Sequence, residues 1–93
     1  MSVKKITEEM INDLYDLIAS VDSAEKCRML FDDLCTNKEV EQMAQRVRAA
    51  KLLMSGKTYN QVIEETDISS ATLSRVSRCV QYGEGYSKLL SDK

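Results

Sequence analysis

The 93-residue chain contains no histidine, no proline and no tryptophan, and it has only one phenylalanine and three glycines. Without histidine it lacks the commonest general base of enzymes, and the scattered Cys27, Cys35 and Cys79 cannot form the usual Cys/His zinc spacings. The odd cysteine count and the lack of a CxxC pair argue against a disulfide framework. Nothing in the sequence therefore suggests catalysis, and we predict neither a metal nor a cofactor.

Long apolar runs are also missing from the sequence. No segment approaches the ~20 apolar residues that span a bilayer, and the opening MSVKKITEEM lacks the apolar stretch of a secretory signal. We therefore expect a cytoplasmic protein that has no membrane partner.

The composition that remains favours helices, because alanine, leucine, methionine, glutamate and lysine are frequent and no proline interrupts them. A chain of this length forms one domain with a small core, which often gains stability by pairing with a second copy. We predict an all-α fold of five to six short helices within a single domain, residues 1–93.

Capping residues and apolar periodicity place these helices. The first is expected at 7–20 with Thr7 as its cap, and the longest runs from Thr36 to about Met54. Between them the second helix opens either with Asp22 and Glu25 or with Ser23 alone. Thr36 and Glu39 match a capping box, and Gly56 stands where a left-handed C-terminal cap belongs. Two shorter helices, at about 58–66 and 70–81, and a last turn near 88–90 complete the prediction.

Each of the first three helices carries an apolar stripe, and the stripe of the second helix must be buried. The stripes consist of Met10, Ile11, Leu14, Leu17 and Ile18 in the first helix, of Cys27, Leu30, Phe31 and Leu34 in the second, and of Val40, Met43, Ala44, Val47, Ala50 and Met54 in the third. We expect Cys27 to be a buried small hydrophobic residue rather than a redox switch.

Charge is distributed unevenly along the chain. Although the net charge is −2, residues 1–45 carry five basic and ten acidic side chains, whereas residues 46–93 carry eight basic and five acidic ones. From Ile68 to Gly83 there are two arginines and no acidic residue. An acidic body with a locally basic segment is compatible with a DNA-contacting face, although chance fluctuation in a charged surface explains the charge pattern equally well.

Residues 59–76, YNQVIEETDISSATLSRV, fit a helix-turn-helix motif, in which a short helix ends in a tight turn and a second helix enters the major groove. Val62 and Ile63 supply inward apolar residues for the first helix. Asp67 stands where the turn needs positive φ, and a buried aliphatic, Ile68, follows it. Ser69 is the natural cap of the second helix, whose inward residues are Leu73 and Val76.

The remaining residues of this segment suit DNA contact. Small hydroxyl side chains allow close approach, alanine or a threonine methyl can touch thymine, and arginine can reach guanine or phosphate. Residues at the start of the first helix are placed to hold phosphates. The predicted DNA-binding residues are Tyr59, Asn60, Gln61, Ser69, Ser70, Ala71, Thr72, Ser74, Arg75 and Arg78. An ordinary helical hairpin with a polar outer face is the alternative interpretation.

Three blocks of the sequence resemble the tryptophan repressor superfamily, most closely its shorter bacterial branch of the YerC/YecD type. They are LCTNKEVEQMAQRVRAAKLL, SGKTYNQVIEE and ATLSR, which lie within residues 30–80. The resemblance implies an intertwined homodimer that binds palindromic double-stranded DNA and associates with the bacterial nucleoid. It assigns residues 1–57 to a dimerisation core and residues 58–81 to the reading head.

The resemblance also implies candidate effector-binding residues. A threonine and two arginines contact the corepressor in the tryptophan-sensing members, and the matching positions are Thr36, Arg46 and Arg75. However, Val76 follows Arg75 where those members have glycine, and a branched side chain crowds an indole, so tryptophan binding is not carried over. Helix capping by Thr36, pairing of Arg46 within its own helix, and phosphate contact by Arg75 explain the same residues.

We therefore predict a sequence-specific transcriptional regulator, and a repressor in particular. The alternative is a helical dimeric interaction module whose helix-turn-helix head binds a protein partner instead of DNA. The overall negative charge motivates this alternative.

Overall fold

The computed structural model describes residues 6–91, which form six α-helices and no strand. The helices are α1 (Glu8–Ala19), α2 (Ala24–Leu34), α3 (Asn37–Met54), α4 (Tyr59–Thr66), α5 (Ser70–Tyr82) and α6 (Gly85–Leu89). The predicted all-α class is confirmed. No helix in this described part of the chain is both long enough and apolar enough to cross a membrane.

The chain separates into two compact units, residues 1–36 and residues 37–93. This boundary is the start of the long helix α3, whereas the predicted functional division lies after residue 57. In the second unit α3 contacts α4, α5 and α6. The long helix is therefore the support of the helix-turn-helix, and the assignment of residues 1–57 to a dimerisation core stays a prediction.

Side-chain caps define where the helices of the first unit begin. The hydroxyl of Thr7 accepts a hydrogen bond from the N–H of Met10, and that of Ser23 accepts one from the N–H of Lys26, both at 3.1 Å. Each cap satisfies an N–H group that has no partner within its helix. The predicted caps Thr7 and Ser23 are thereby confirmed.

The core of the second unit joins α3 to the helix-turn-helix. Its fully buried side chains include Ala49 of α3, Val62 of α4 and Leu73 of α5. Because alanine is small, the neighbouring helices approach α3 closely at this point. Around these residues pack half-buried side chains of the four helices of this unit and of the residue that follows α6, namely Leu52, Leu53, Ile63, Val80, Tyr86 and Leu90.

The long helix α3 has two apolar faces, and the predicted stripe is mainly the outer one. Ala49 and Ala50 are buried in the core, whereas Val40, Val47 and Met54 are at least 36% exposed. Ala50 is the member of the predicted stripe that is buried in this core. The inner face was missed because alanine gives a weak hydrophobic signal in a sequence.

The apolar side chains of α1 are not covered in the single chain. Met10, Leu14 and Leu17 are between 37% and 52% exposed, and neither α1 nor α2 has a buried residue. Cys27 is also exposed, which corrects the prediction that it is buried. The single chain therefore presents large apolar side chains that a folded protein ordinarily covers.

We expect Leu73→Ala to lower the free energy of unfolding by about 2–5 kcal/mol, because it leaves a cavity in a fully buried site. Urea denaturation followed by circular dichroism measures this loss. The matched control is Gln81→Ala on the same helix, where the exposed side chain should change stability by no more than about 0.5 kcal/mol. Equal effects of the two substitutions would contradict the described core.

Candidate nucleic-acid interface

A capping box fixes the start of α4. The Thr58 hydroxyl accepts a hydrogen bond from the N–H of Gln61 at 3.2 Å, and the Gln61 side-chain oxygen accepts one from the N–H of Thr58 at 2.9 Å. Gln61 was predicted only as a phosphate contact, so its structural role was missed. The T-x-x-Q spacing of residues 58–61 could have revealed it.

The turn between α4 and α5 has the geometry that the sequence predicts. Asp67 adopts the left-handed conformation with φ 62° and ψ 22°, and its N–H donates to the carbonyl of Ile63 at 2.8 Å. Among residues 6–91 it is the one non-glycine residue with positive φ. Ile68 follows at 3% exposure and anchors the turn in the core.

Side chains of α4 and α3 form hydrogen bonds with the backbone of this turn. The Thr66 hydroxyl donates to the carbonyl of Val62 at 2.7 Å and accepts from the N–H of Ile68 at 3.2 Å. From α3, Nε2 of Gln45 donates to the carbonyl of Thr66 at 3.1 Å and lies 3.5 Å from that of Asp67. No sequence signal pointed to Gln45, because its partners are 21 and 22 residues away.

The cap of α5 is Ser69, as predicted. Its hydroxyl accepts from the N–H of Thr72 at 3.2 Å and donates to the Thr72 hydroxyl at 3.0 Å. Thr72 is half-buried. These two predicted DNA contacts therefore also hold the start of the helix, which restricts the directions in which their hydroxyls can reach a ligand.

One face of α5 is exposed, polar and free of acidic side chains. Leu73 and Val76 point into the core as predicted, and Ser77 is buried beside them at 8% exposure. The exposed residues follow each other at helical spacing on the opposite side. They are Ser70, Ala71, Ser74, Arg75 and Arg78. Five of the predicted contacts thus share one accessible surface, which we call the α5 outer face.

The other predicted DNA contacts lie at the start of α4. Tyr59, Asn60 and Gln61 are exposed in its first turn, and the Tyr59 side chain retains 45% of its accessible surface. The oxygen of the Gln61 amide is used in the capping box, whereas its NH₂ group remains a donor. This helix start can therefore present two side chains and one amide donor to a phosphate group.

The predicted effector residues are only partly related in space. Arg46 lines a polar depression of about 270 Å³ between α3 and the turn, together with Ser69 and Thr72, whereas Arg75 does not line it. Thr36 belongs to the other compact unit. Their common role in binding an effector stays a prediction.

No hydrogen bond or salt bridge within residues 6–91 involves the side chain of Arg46, Arg75 or Arg78. The alternative that Arg46 pairs with a neighbour on its own helix is therefore not what the structure shows. All three guanidinium groups belong to exposed residues. In the same part of the chain, no group of three histidine, cysteine or acidic residues is placed to hold a metal ion.

Comparisons with known proteins agree on the family. The family model described as Trp repressor protein matches residues 9–93. The uncharacterized protein YerC of Bacillus subtilis (strain 168) is 38% identical over 93 residues, which are 100% of this chain and 89% of YerC. A Staphylococcus aureus protein assigned as a Trp repressor has a crystal structure that matches with a TM-score of 0.85 and 36% identity, over 90% of this chain and 85% of that chain.

We expect substitutions of the left-handed turn residue Asp67 to change the free energy of unfolding by different amounts. We expect Asp67→Ala to be less stable than Asp67→Gly by about 1 kcal/mol, because a Cβ without a compensating polar group strains this conformation. Asp67→Asn is the matched control, since it tolerates positive φ and removes only the charge. Urea unfolding of the three variants measures the differences, and equal stability of the alanine and glycine variants would rule out the left-handed turn.

Proposed function

Since this chain belongs to the Trp repressor family, whose model matches residues 9–93, we propose that it is a transcriptional regulator that binds a palindromic operator as a homodimer. Family members are regulatory DNA-binding proteins, and the fold presents the helix-turn-helix that such binding uses. Two copies related by a two-fold axis would place two α5 helices in successive major grooves, ~34 Å apart.

The observation that carries the proposal is the α5 outer face. Small side chains allow the helix to approach the base edges, while Arg75 and Arg78 supply positive charge and bidentate donors on the same side. The net charge of the whole chain is −2, so the local absence of acidic residues from Ile68 to Gly83 matters for approach to a polyanion.

We assign different roles to the two helices of the motif. Ser70, Ala71, Ser74 and Arg75 of the α5 outer face are the candidates for contacts with base edges. We assign phosphate contacts to Arg78, to Ser69 and Thr72 at the cap of α5, and to the exposed residues at the start of α4, which are Tyr59, Asn60 and Gln61. Contacts to phosphate fix the register of the protein on the duplex, and contacts to bases select the sequence.

Exposed apolar side chains support the homodimer. The surface formed by Met10, Ile11, Leu14 and Leu17 of α1 is uncovered in the single chain, as is the outer face of α3. A second copy is the occupant that explains these surfaces, since a domain of this size builds only a small core alone. A further apolar groove, of about 500 Å³, is lined by Val47, Cys79, Gly83, Gly85, Tyr86, Leu89 and Leu90.

We propose repression as the direction of regulation, because the S. aureus neighbour is assigned as a Trp repressor. Such a regulator acts on the chromosome, so we place it in the bacterial cytoplasm with the nucleoid. Arg46, in its polar depression, Arg75 and Thr36 remain the candidate effector-binding residues. Val76 argues against tryptophan because of its branched side chain.

Selection of bound DNA from a genomic library, with and without tryptophan and other amino acids, tests operator, symmetry and effector together. We expect an enriched palindrome at moderate salt. Equal affinity for all sequences would contradict sequence-specific regulation. Retention of no DNA at low salt, together with a stoichiometric protein partner, would instead establish the protein-binding module.

Arg75→Ala tests the α5 outer face. If Arg75 reads a base, we expect the variant to lose ~1–3 kcal/mol of binding free energy on the operator and little on unrelated DNA. Fluorescence anisotropy over a salt series measures both losses. Equal losses on all sequences, with a salt slope shallower by ~1, would assign Arg75 to a phosphate instead. Gln42→Ala, at an exposed position of α3 that is not among the predicted DNA contacts, is the control.

Equilibrium sedimentation tests the homodimer. We expect a dimer of the 10.5 kDa chain, and we expect Leu17→Glu to shift it toward monomer because the carboxylate would be buried without a partner. Asn12→Glu, on the polar side of the same helix, should leave the dimer intact. A monomeric wild-type protein, or equal behaviour of the two variants, would contradict the proposed interface.

A further inference from the structure

The turn of the helix-turn-helix contains carbonyl groups that its own helices cannot satisfy. The helix α4 ends at Thr66, and the last carbonyls of a helix have no partner in the following turn. Among residues 6–91, the side chain that donates to the carbonyl of Thr66 comes from another helix. It is Gln45 of α3, with Nε2 at 3.1 Å from Thr66 O.

The position of Gln45 connects this hydrogen bond to the core. Gln45 is half-buried and lies one helical turn before Ala49, on the face of α3 that contacts α4 and α5. Its second contact, 3.5 Å from the carbonyl of Asp67, is longer and weaker than the first. One amide group thus lies close to the two carbonyls that precede and follow the Cα of the left-handed residue Asp67.

A displacement of this peptide would be passed on to α5. Ile68 follows Asp67 directly, and its N–H is held by the Thr66 hydroxyl at 3.2 Å. Ser69, the cap of α5, comes next. Only three residues therefore separate Thr66 from the first residue of α5, and any rotation at Asp67 changes the direction of the helix that carries the outer face.

We propose that Gln45 is a positioning residue for DNA recognition, whose amide ties α3 to the α4–α5 turn and sets the angle at which the α5 outer face meets DNA. This role rests on the proposed function and deepens it. Gln45 acts through the turn, because the residues it contacts are backbone groups at the end of α4 rather than members of the outer face. Gln45 fixes the direction of α5, whereas the phosphate contacts supply most of the sequence-independent affinity for DNA.

The first test uses the free protein. Gln45→Met keeps the length of the side chain and removes the donor, and Gln45→Glu places a carboxylate against carbonyl oxygens. The control is Gln42→Met, one turn earlier on α3, since Gln42 is exposed and has no side-chain hydrogen bond within the described part of the chain. Amide hydrogen exchange is measured at Asp67, Ile68 and Thr72.

We expect about threefold to tenfold faster exchange at these amides in Gln45→Met, as the loss of one net hydrogen bond predicts, and a larger increase in Gln45→Glu. Exchange at Leu73 and Val76, in the core of α5, should change less. Exchange rates equal to those of Gln42→Met would overturn the proposal, and so would a uniform increase over all helices, because that result reports only general destabilisation.

The second test measures binding to the selected operator and to a shuffled duplex of the same length. For Gln45→Met we expect the ratio of the two affinities to fall about threefold to tenfold, while affinity for the shuffled duplex and the salt slope change less than twofold. Equal losses on both duplexes would overturn the positioning role. If the wild-type protein itself prefers no sequence, the proposed function fails, and the exchange experiment alone decides whether Gln45 holds the turn.

Discussion

The packing of Val62 and Leu73 against Ala49 and Ala50 is the constraint on which the second unit depends. These four side chains are fully buried, and they belong to α4, α5 and α3. Two adjacent alanines remove bulk from α3 where the helix-turn-helix approaches it, so the short helix α4 can be held at close range. An eight-residue helix such as α4 has little stability of its own, and this packing is what keeps it folded.

Side-chain hydrogen bonds stabilise the backbone of the turn in this motif, so several of its polar residues have a structural role. Many helix-turn-helix turns use glycine, whereas here Asp67 accepts the left-handed conformation and is supported by the Thr66 hydroxyl and the Gln45 amide. Ser69 then caps α5 through Thr72. The polar residues of this segment are therefore divided between those that stabilise the turn and those that face outward, and under the proposed function only the second group is available to select bases.

The first unit and the outer face of α3 expose large apolar side chains in the single chain. A side chain such as Leu17 or Val47 on an exposed face loses the contribution that burial would make, about 25 cal/mol for each Å² of apolar surface. Within residues 6–91 the buried core is small and consists of two alanines and four larger aliphatic residues. The proposed homodimer would bury this exposed apolar surface, so that the same association would both stabilise the fold and set the symmetry of the proposed operator.

The sequence alone determined the helices, their caps and the position of the helix-turn-helix, because these depend on local spacing. Thr7, Ser23 and Ser69 were identified as caps, and Asp67 as the turn residue, from interactions that span three or four residues. Exposure of the α5 outer face followed from the same periodicity.

Only the tertiary structure decided which residues of α3 face the core and which of them contacts the turn. Alanine gives no strong apolar signal, so the sequence did not reveal the inner face of α3 at Ala49, and only the structure shows that the periodic stripe through Val40 and Met54 is exposed in the single chain. Gln45 meets Thr66 across 21 residues, a separation that no local pattern records. Likewise, Cys27 belongs to an apolar stripe and is nevertheless exposed, because burial depends on what covers the helix. Contacts between elements distant in sequence arise from packing, which is why they had to be observed.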